Sequence, residues 1–389
     1  MLILVSVSIW ADEGARPLYS ITADVGSQAA LSGPALSSLL REMESRFSAY
    51  NGLFRFDPSE LDAPLNIRVF SGKEEYDRYL LGLLGNGNFE PEAMYLHYRE
   101  SENRELVVNL QSPELSPALS YQAFIQYFRA FIPNPPAWML EGFAIFFSTI
   151  RFDKNGALEY EENLTWLEPV KNMRDKLPSP NAILLADLWD ILHPGVLPPI
   201  DFGEFQISSW ALVSFLLNSG GEYFRTLTDS FMLLSPSAGA EENSLNVTRR
   251  FSSWNDFNVM NNDFRTYLAS RKTFREIMED GNRAYSRGDY KSAELSFVSA
   301  NQQRPSDFAP YYYLGLISYA EKNYDAAEQF YLASLERGAD AALVNYALGI
   351  NAAAAGRIQD PVDYMYKAAA LDPTRYSSRV EDVLRRIWR

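Results

Sequence analysis

The chain has 389 residues, room for two or three domains, and its 47% apolar content supplies a core and excludes a disordered polymer. The formal charge of −15 is uneven: residues 274–389 hold 14 Lys/Arg against 16 Asp/Glu, so the acidic excess sits in the first part, which repels phosphate backbones and argues against nucleic acid. With no cysteine there is no disulfide, thiolate nucleophile or Cys-ligated zinc, and no basic amphipathic stretch points to a membrane surface.

In chain order, residues 1–11 (MLILVSVSIWA) form an apolar run that stops at Asp12-Glu13. The run reads as the hydrophobic part of a secretory signal with Ala11 before the cut; a buried first strand is the alternative. No later run approaches the ~18 apolar residues of a membrane helix. Residues 35–50 carry Leu36, Leu39, Leu40, Met43, Phe47 and Tyr50 at helical spacing, with Asn51-Gly52 as the stop. Leu65, Ile67 and Val69 alternate as in a strand. Ser71 to Glu74 reads as a capping box opening a helix, and 93–98 and 106–110 as two more strands. This order predicts an α+β layer.

Ser116-Pro117 reads as the N-cap and first turn of a helix over 118–132, ended by Pro133, Pro135 and Pro136. A second helix follows over 137–150. Residues 209–218, with Gly220 as stop, and 222–234 are predicted helices. The polar stretch 235–250 reads as a loop, and 254–268 as a helix.

The segments 118–132 and 137–150 carry a resemblance. A small α+β layer, a helix, then a proline-led helix reading Trp138-x-x-Glu141-Gly142-x-Ala144 resembles the gluzincin (peptidase MA-like) metallopeptidases, which are often followed by tetratricopeptide repeats. The order of elements matches over roughly 20–270, and the motif over about 121–147. In that family the first helix carries His-Glu-x-x-His, two imidazoles for zinc and a Glu that activates water, and the second helix supplies a Glu ligand. Here Tyr121 and Ile125 stand for the imidazoles, Gln122 for the catalytic Glu, and only Glu141 remains. The chain has two histidines, His97 in a predicted strand and His193 in a loop, neither at helical spacing from another ligand. The resemblance therefore implies a pseudopeptidase with no metal and no cofactor. A hydrogen bond from Tyr121 to Glu141 would satisfy a carboxylate that is costly to bury unpaired.

From residue 273 the chain repeats itself. Gly281, Gly315 and Gly349 recur at intervals of 34 residues, each inside the same frame of small and large residues: Ala284, Tyr290, Ala293 and Phe297; then Tyr324, Ala327 and Tyr331; then Pro361, Met365 and Ala368. This is the tetratricopeptide pattern. Pro361 stands where alanine is usual, which places Pro in the first turn of its helix. Residues 376–389 read as a capping helix through Val380, Val383, Leu384, Ile387 and Trp388. The family resemblance puts the binding groove on the first helix of each repeat. There it gives Arg275, Met278, Asn282 and Tyr285; Ala309, Tyr312, Leu316 and Tyr319; and Leu343, Tyr346, Ile350 and Ala353. Those residues expect a peptide or helix partner held mostly by apolar and aromatic contact. The alternative is that these side chains are already covered by the rest of the fold.

The expectation is an α+β gluzincin-like domain over 12–272, three tetratricopeptide (TPR) repeats over 273–375 in an all-α C-terminal domain, and the cap, following a signal over 1–11. The expected function is that of an exported, bacterial periplasmic, non-catalytic interaction scaffold. A zinc-independent hydrolase using Glu141 as acid or base, or a structural subunit of an envelope assembly, are the alternatives; no nucleophile–base pair accompanies Glu141.

Overall fold

The computed structural model describes residues 6–7, 17–23, 33–85, 91–110, 115–152, 158–159, 164–175, 202–357 and 360–387. Most of the apolar leader, His193 and Trp388 lie outside them. The chain divides into two compact units, residues 1–271 and 272–389.

The first unit opens with a small sheet. Its strands are β1 (Ser6–Val7), β2 (Tyr19–Ala23), β3 (Leu65–Phe70), β4 (Ala93–Leu96) and β5 (Glu105–Asn109), in the order β1-β2-β3-β5-β4. β2, β3 and β5 run parallel, while β1 and β4 pair antiparallel at the two edges. Strand β1 falls in the apolar run of residues 1–11, where a first strand was the alternative reading; β2 was not expected. In β2 the alternation of buried Tyr19, Ile21 and Ala23 with Ser20 and Thr22 is the half-buried strand pattern, and it pairs residue by residue with β3. Helix α1 (Gly33–Phe54) covers one face through Leu39, Leu40, Met43, Phe47 and Tyr50, and α2 (Lys73–Leu84) covers the other through Tyr76 and Leu80. Central β5 is therefore buried along its whole length.

Two boundaries depart from the sequence reading. α1 runs through Asn51-Gly52 to Phe54, because Phe54 is buried among Phe124, Phe128, Phe143 and Phe231; Arg55 then takes the left-handed conformation, φ 59°. α2 starts one residue late for the expected capping box: Gly72 is the N-cap, without a side-chain cap, and Glu74 and Glu75 complement the helix dipole.

The rest of the unit is helical: α3 (Leu115–Phe131), α4 (Ala137–Phe147), the small pair β6 (Arg151–Phe152) and β7 (Leu158–Glu159), α5 (Leu167–Asp175), α6 (Phe202–Asn218), α7 (Gly221–Phe231), α8 (Ala240–Trp254) and α9 (Phe257–Ser270). Ser116 is inside α3, one residue past its start, and does not cap it. The polar stretch expected as a loop is α8. Its small polar residues Asn243, Ser244 and Thr248 are buried beside Val247 and Phe251. The Asn243 amide donates to the Asn134 and Ser235 carbonyls at 2.9 and 3.1 Å and accepts from the Ser235 N–H at 2.8 Å, so tertiary hydrogen bonds override low helix propensity. Trp254 ends α8, and Asp256 caps α9 by accepting from Asn258 and Val259.

The second unit is an array of helical hairpins: α10 (Phe274–Ser286) with α11 (Tyr290–Gln303), α12 (Phe308–Ala320) with α13 (Tyr324–Glu336), and α14 (Ala341–Ala354) with α15 (Asp360–Leu371), followed by α16 (Pro373–Ile387). Thr273 and Glu276 form a reciprocal capping box at its start, and Asp289, Asp307, Asn323 and Asp340 cap the next helices. The 34-residue glycines face the large residue of the second helix. A Cβ on Gly281 would lie 2.7 Å from the Phe297 ring, on Gly315 2.5 Å from Tyr331, and on Gly349 2.9 Å from Met365. α16 packs as a further first helix, burying Tyr376 and Val380 against Ala342, Met365 and Ala368.

Between the two helices of each hairpin the chain needs a left-handed residue. Gly288 and Gly356 supply it at φ 76°, and Lys322 takes the same turn at φ 64°. A side chain in that region costs roughly 1–2 kcal/mol, against which glycine loses roughly 0.5–1 kcal/mol of chain entropy. Lys322→Gly is expected to stabilise the chain by up to about 1 kcal/mol, read as a higher urea midpoint at unchanged slope. A lower midpoint contradicts this account of the turn.

Candidate functional site

The polar centre of the first unit lies where α3, α4 and α6 meet. α3 ends at Phe131 and the prolines 133, 135 and 136 turn the chain; Pro136 is the N-cap of α4, its carbonyl accepting from Met139 and Leu140 at 3.1 Å. Phe124 of α3 packs on Phe143 and Phe147 of α4, with ring centroids 6.0 and 5.3 Å apart. On its other side α4 meets α6 at Gly142, where a Cβ would stand 2.5 Å from the Ser209 carbonyl oxygen and 2.7 Å from Val213. That approach brings Glu141 beside Gln206.

Tyr121 Oη donates to Glu141 Oε2 at 2.5 Å. Gln206 Nε2 donates to the same oxygen at 2.9 Å and reaches Tyr121 Oη at 3.3 Å. Three helices thus converge on one carboxylate oxygen. Burial first, and then the Glu141 carboxylate, push the Tyr121 phenol far above its ordinary value of 10, so it stays a neutral donor. Gln122 points elsewhere: its Oε1 accepts from the Tyr95 N–H of edge strand β4 at 3.0 Å. Ile125 is a half-buried apolar residue packed against the core.

His97 lies just beyond β4, not within a strand, and takes a 3.3 Å contact from Tyr95 Oη at Nδ1. Partial burial and the Arg129 and Arg104 guanidiniums hold it down at about 4, so it is neutral near pH 7. Among the described residues no group of three or more His, Cys, Asp and Glu side chains is placed to hold a metal ion. The family-style zinc set does not fit the residues present: Ile125 has no donor atom, Tyr121 spends its proton on Glu141, and Gln122 is an amide engaged by a strand.

Gln206 is the member the sequence reading missed. The only sign of it was a polar residue between Phe205 and Ile207 in a run otherwise built for burial.

In the helical array the predicted groove residues are half-buried, apart from exposed Arg275. Several of their rings already touch neighbours. Tyr312 packs on Tyr331 at 5.7 Å, Tyr346 on Tyr376 of α16 at 5.1 Å, Tyr285 on Tyr290 at 5.7 Å and Tyr319 on Tyr324 at 6.1 Å. Met278 joins the first cluster of the array, Leu316 the second and Ile350 the third. Among the described residues the Asn282 Oδ1 is buried and accepts no hydrogen bond.

The fold and this site define an α/β unit with a hydrogen-bonded carboxylate at a three-helix junction, in one chain with an array of helical hairpins. Comparison with protein-family models and with curated proteins returns no match. Among the described residues no helix is long and apolar enough to cross a membrane.

Tyr121→Phe removes a charge-assisted donor from Glu141 and is expected to cost about 1.5–3 kcal/mol at pH 7. Because the folded-state phenol titrates above the unfolded value of 10, its stabilisation is complete below pH 10 and declines as pH rises beyond it. The gap between wild type and variant should therefore narrow above pH 10. Urea unfolding at pH 7, 9 and 10.5 tests this, and a gap that widens with pH contradicts it.

Proposed function

We propose that the protein is a non-catalytic interaction protein: a degenerate gluzincin-type domain followed by a tetratricopeptide array that recruits a protein or peptide partner, exported to a bacterial envelope. The hydrogen-bonded triad of Tyr121, Glu141 and Gln206 carries this reading. The position that a gluzincin gives to a ligand imidazole holds a phenol that satisfies the one ligand carboxylate left, so the scaffold keeps its carboxylate without a cation. The commitment of Gln122 to the Tyr95 N–H supports it further, because the group in the place of the general base is an amide used to hold β4 against α3. The 34-residue register and the glycine-to-large contacts at Phe297, Tyr331 and Met365 support the repeat assignment. Export rests on the apolar run of residues 1–11.

Zinc tests the first half. Wild type is expected to hold no stoichiometric zinc after dialysis. The triple variant Tyr121→His, Gln122→Glu, Ile125→His restores two imidazoles one helical turn apart beside Glu141 and is expected to bind about one zinc per chain. Elemental analysis finding tight zinc in wild type sinks the reading, as does a folded triple variant that binds none.

The second half predicts a partner on the first-helix face of the array. Truncating an aromatic anchor typically weakens binding by about 2 kcal/mol, roughly thirtyfold. The variant Tyr312→Ala, Tyr346→Ala is expected to lose partner capture from an envelope extract. It should melt only a few degrees lower, since both rings are half-buried. Unchanged capture by a folded variant rules the face out.

A further inference from the structure

Away from the Tyr121 junction, the first unit has a trough at the entry ends of β2 and β3. Its larger part is a cavity of about 390 Å³ walled by Pro17, Leu18, Pro58, Leu61, Ala63 and Pro64, with Ser59 at its side. This lies within the range of about 300–1,000 Å³ usual for small-molecule sites, and its wall is mostly apolar. A second, narrow recess of about 20 Å³ shares Leu61, Ala63 and Pro64 with it and ends on Asp62, Tyr95, Ser101, Arg104 and Gln126. That space holds one water or one polar group of a ligand.

The polar end has one open valence of note. Gln126 is 2% exposed, and its Nε2 donates to the Asn66 carbonyl at 2.8 Å, which fixes the amide so that Oε1 faces away from that bond. Among the described residues Oε1 is buried and accepts nothing. A buried carbonyl without a donor costs about 1–3 kcal/mol. The charged neighbours are held in place by other contacts. Arg104 donates through Nε to the Tyr98 carbonyl at 2.7 Å and through Nη2 to the Arg99 carbonyl at 3.1 Å, and Asp62 has an interaction of its own. The Tyr95 hydroxyl lies on His97.

We propose that the trough binds a small amphipathic molecule, its apolar body in the proline-lined cavity and a single hydroxyl or N–H donor reaching Gln126 Oε1. The apolar wall sets the body, the volume limits its size, and the one unfilled acceptor sets the polarity of its head.

The probe is N-phenyl-1-naphthylamine, an uncharged dye with one N–H whose fluorescence rises in apolar surroundings, titrated into the full-length protein. Saturable one-to-one binding is expected. The matched hydrocarbon 1-phenylnaphthalene, which has no donor, should bind about fivefold more weakly, the size of one neutral hydrogen bond. Ser59 is exposed on a turn, so Ser59→Trp fills the cavity without touching the core and should weaken both probes at least tenfold. Gln126→Met should weaken the amine about fivefold and leave the hydrocarbon unchanged. The proposal is overturned by the absence of saturable binding in wild type, which would mean that the recess holds only water. It is equally overturned by binding that Ser59→Trp leaves intact, or by equal affinity for the two probes.

Discussion

Close approach of helices at a residue without a Cβ is the constraint on which both units depend. At Gly142 the α4 backbone meets the Ser209 carbonyl and Val213 of α6 at distances no side chain permits. In the array the same device recurs with side chains, Gly281 under Phe297, Gly315 under Tyr331 and Gly349 under Met365. Packing at near-crystalline density leaves no slack for an added methyl, so these glycines set the spacing of the helix pairs. In the first unit that spacing also has a chemical result, because Gly142 follows Glu141 directly. Gln206, three residues before Ser209 on α6, then reaches the carboxylate at 141.

Buried polarity in the first unit is handled by local pairing. Arg46, with no exposure, is bonded to Glu42 at 2.5 Å and to the Ser120 hydroxyl, and Tyr50 donates to the Ser120 carbonyl at 3.1 Å. α1 and α3 are thus tied by polar as well as aromatic contacts. Breaking such a pair by removing one member leaves a buried charge, which is far more damaging than removing an exposed ion pair. Surface pairs such as Arg78 with Glu74 belong to the second kind.

The legibility of the sequence follows from how local the determining physics is. The array was readable because each repeat states its packing in one residue and its partner about sixteen positions later, and then states it again. The helices 118–132 and 137–150 were readable because prolines mark the turn between them, whereas the proximity of Tyr121 to Glu141 was expected only from the resemblance of that segment to a known helix pair. β2 was not, since its five residues YSITA are short and gain strand character from pairing with β3. α8 was misread because Ser, Asn and Thr favour loops in isolation; only the carbonyls of Asn134 and Ser235 make a helix with Asn243 inside it favourable. Gln206 was silent because the sequence reading began this helix at 209, and a polar residue outside a recognised periodic run does not say which partner it faces.

Ionisation around Glu141 follows from the same geometry. A general acid or base works best with a pKa near the operating pH. The phenol that donates to Glu141 is displaced away from neutrality: Tyr121 rises well above 10. Burial is the first cause, since it disfavours the phenolate, and the Glu141 carboxylate adds to it. Glu141 Oε2 therefore accepts from a phenol that keeps its proton throughout the ordinary pH range and from the Gln206 amide. Such a shell positions the carboxylate and ties α3, α4 and α6 to one another at a single oxygen.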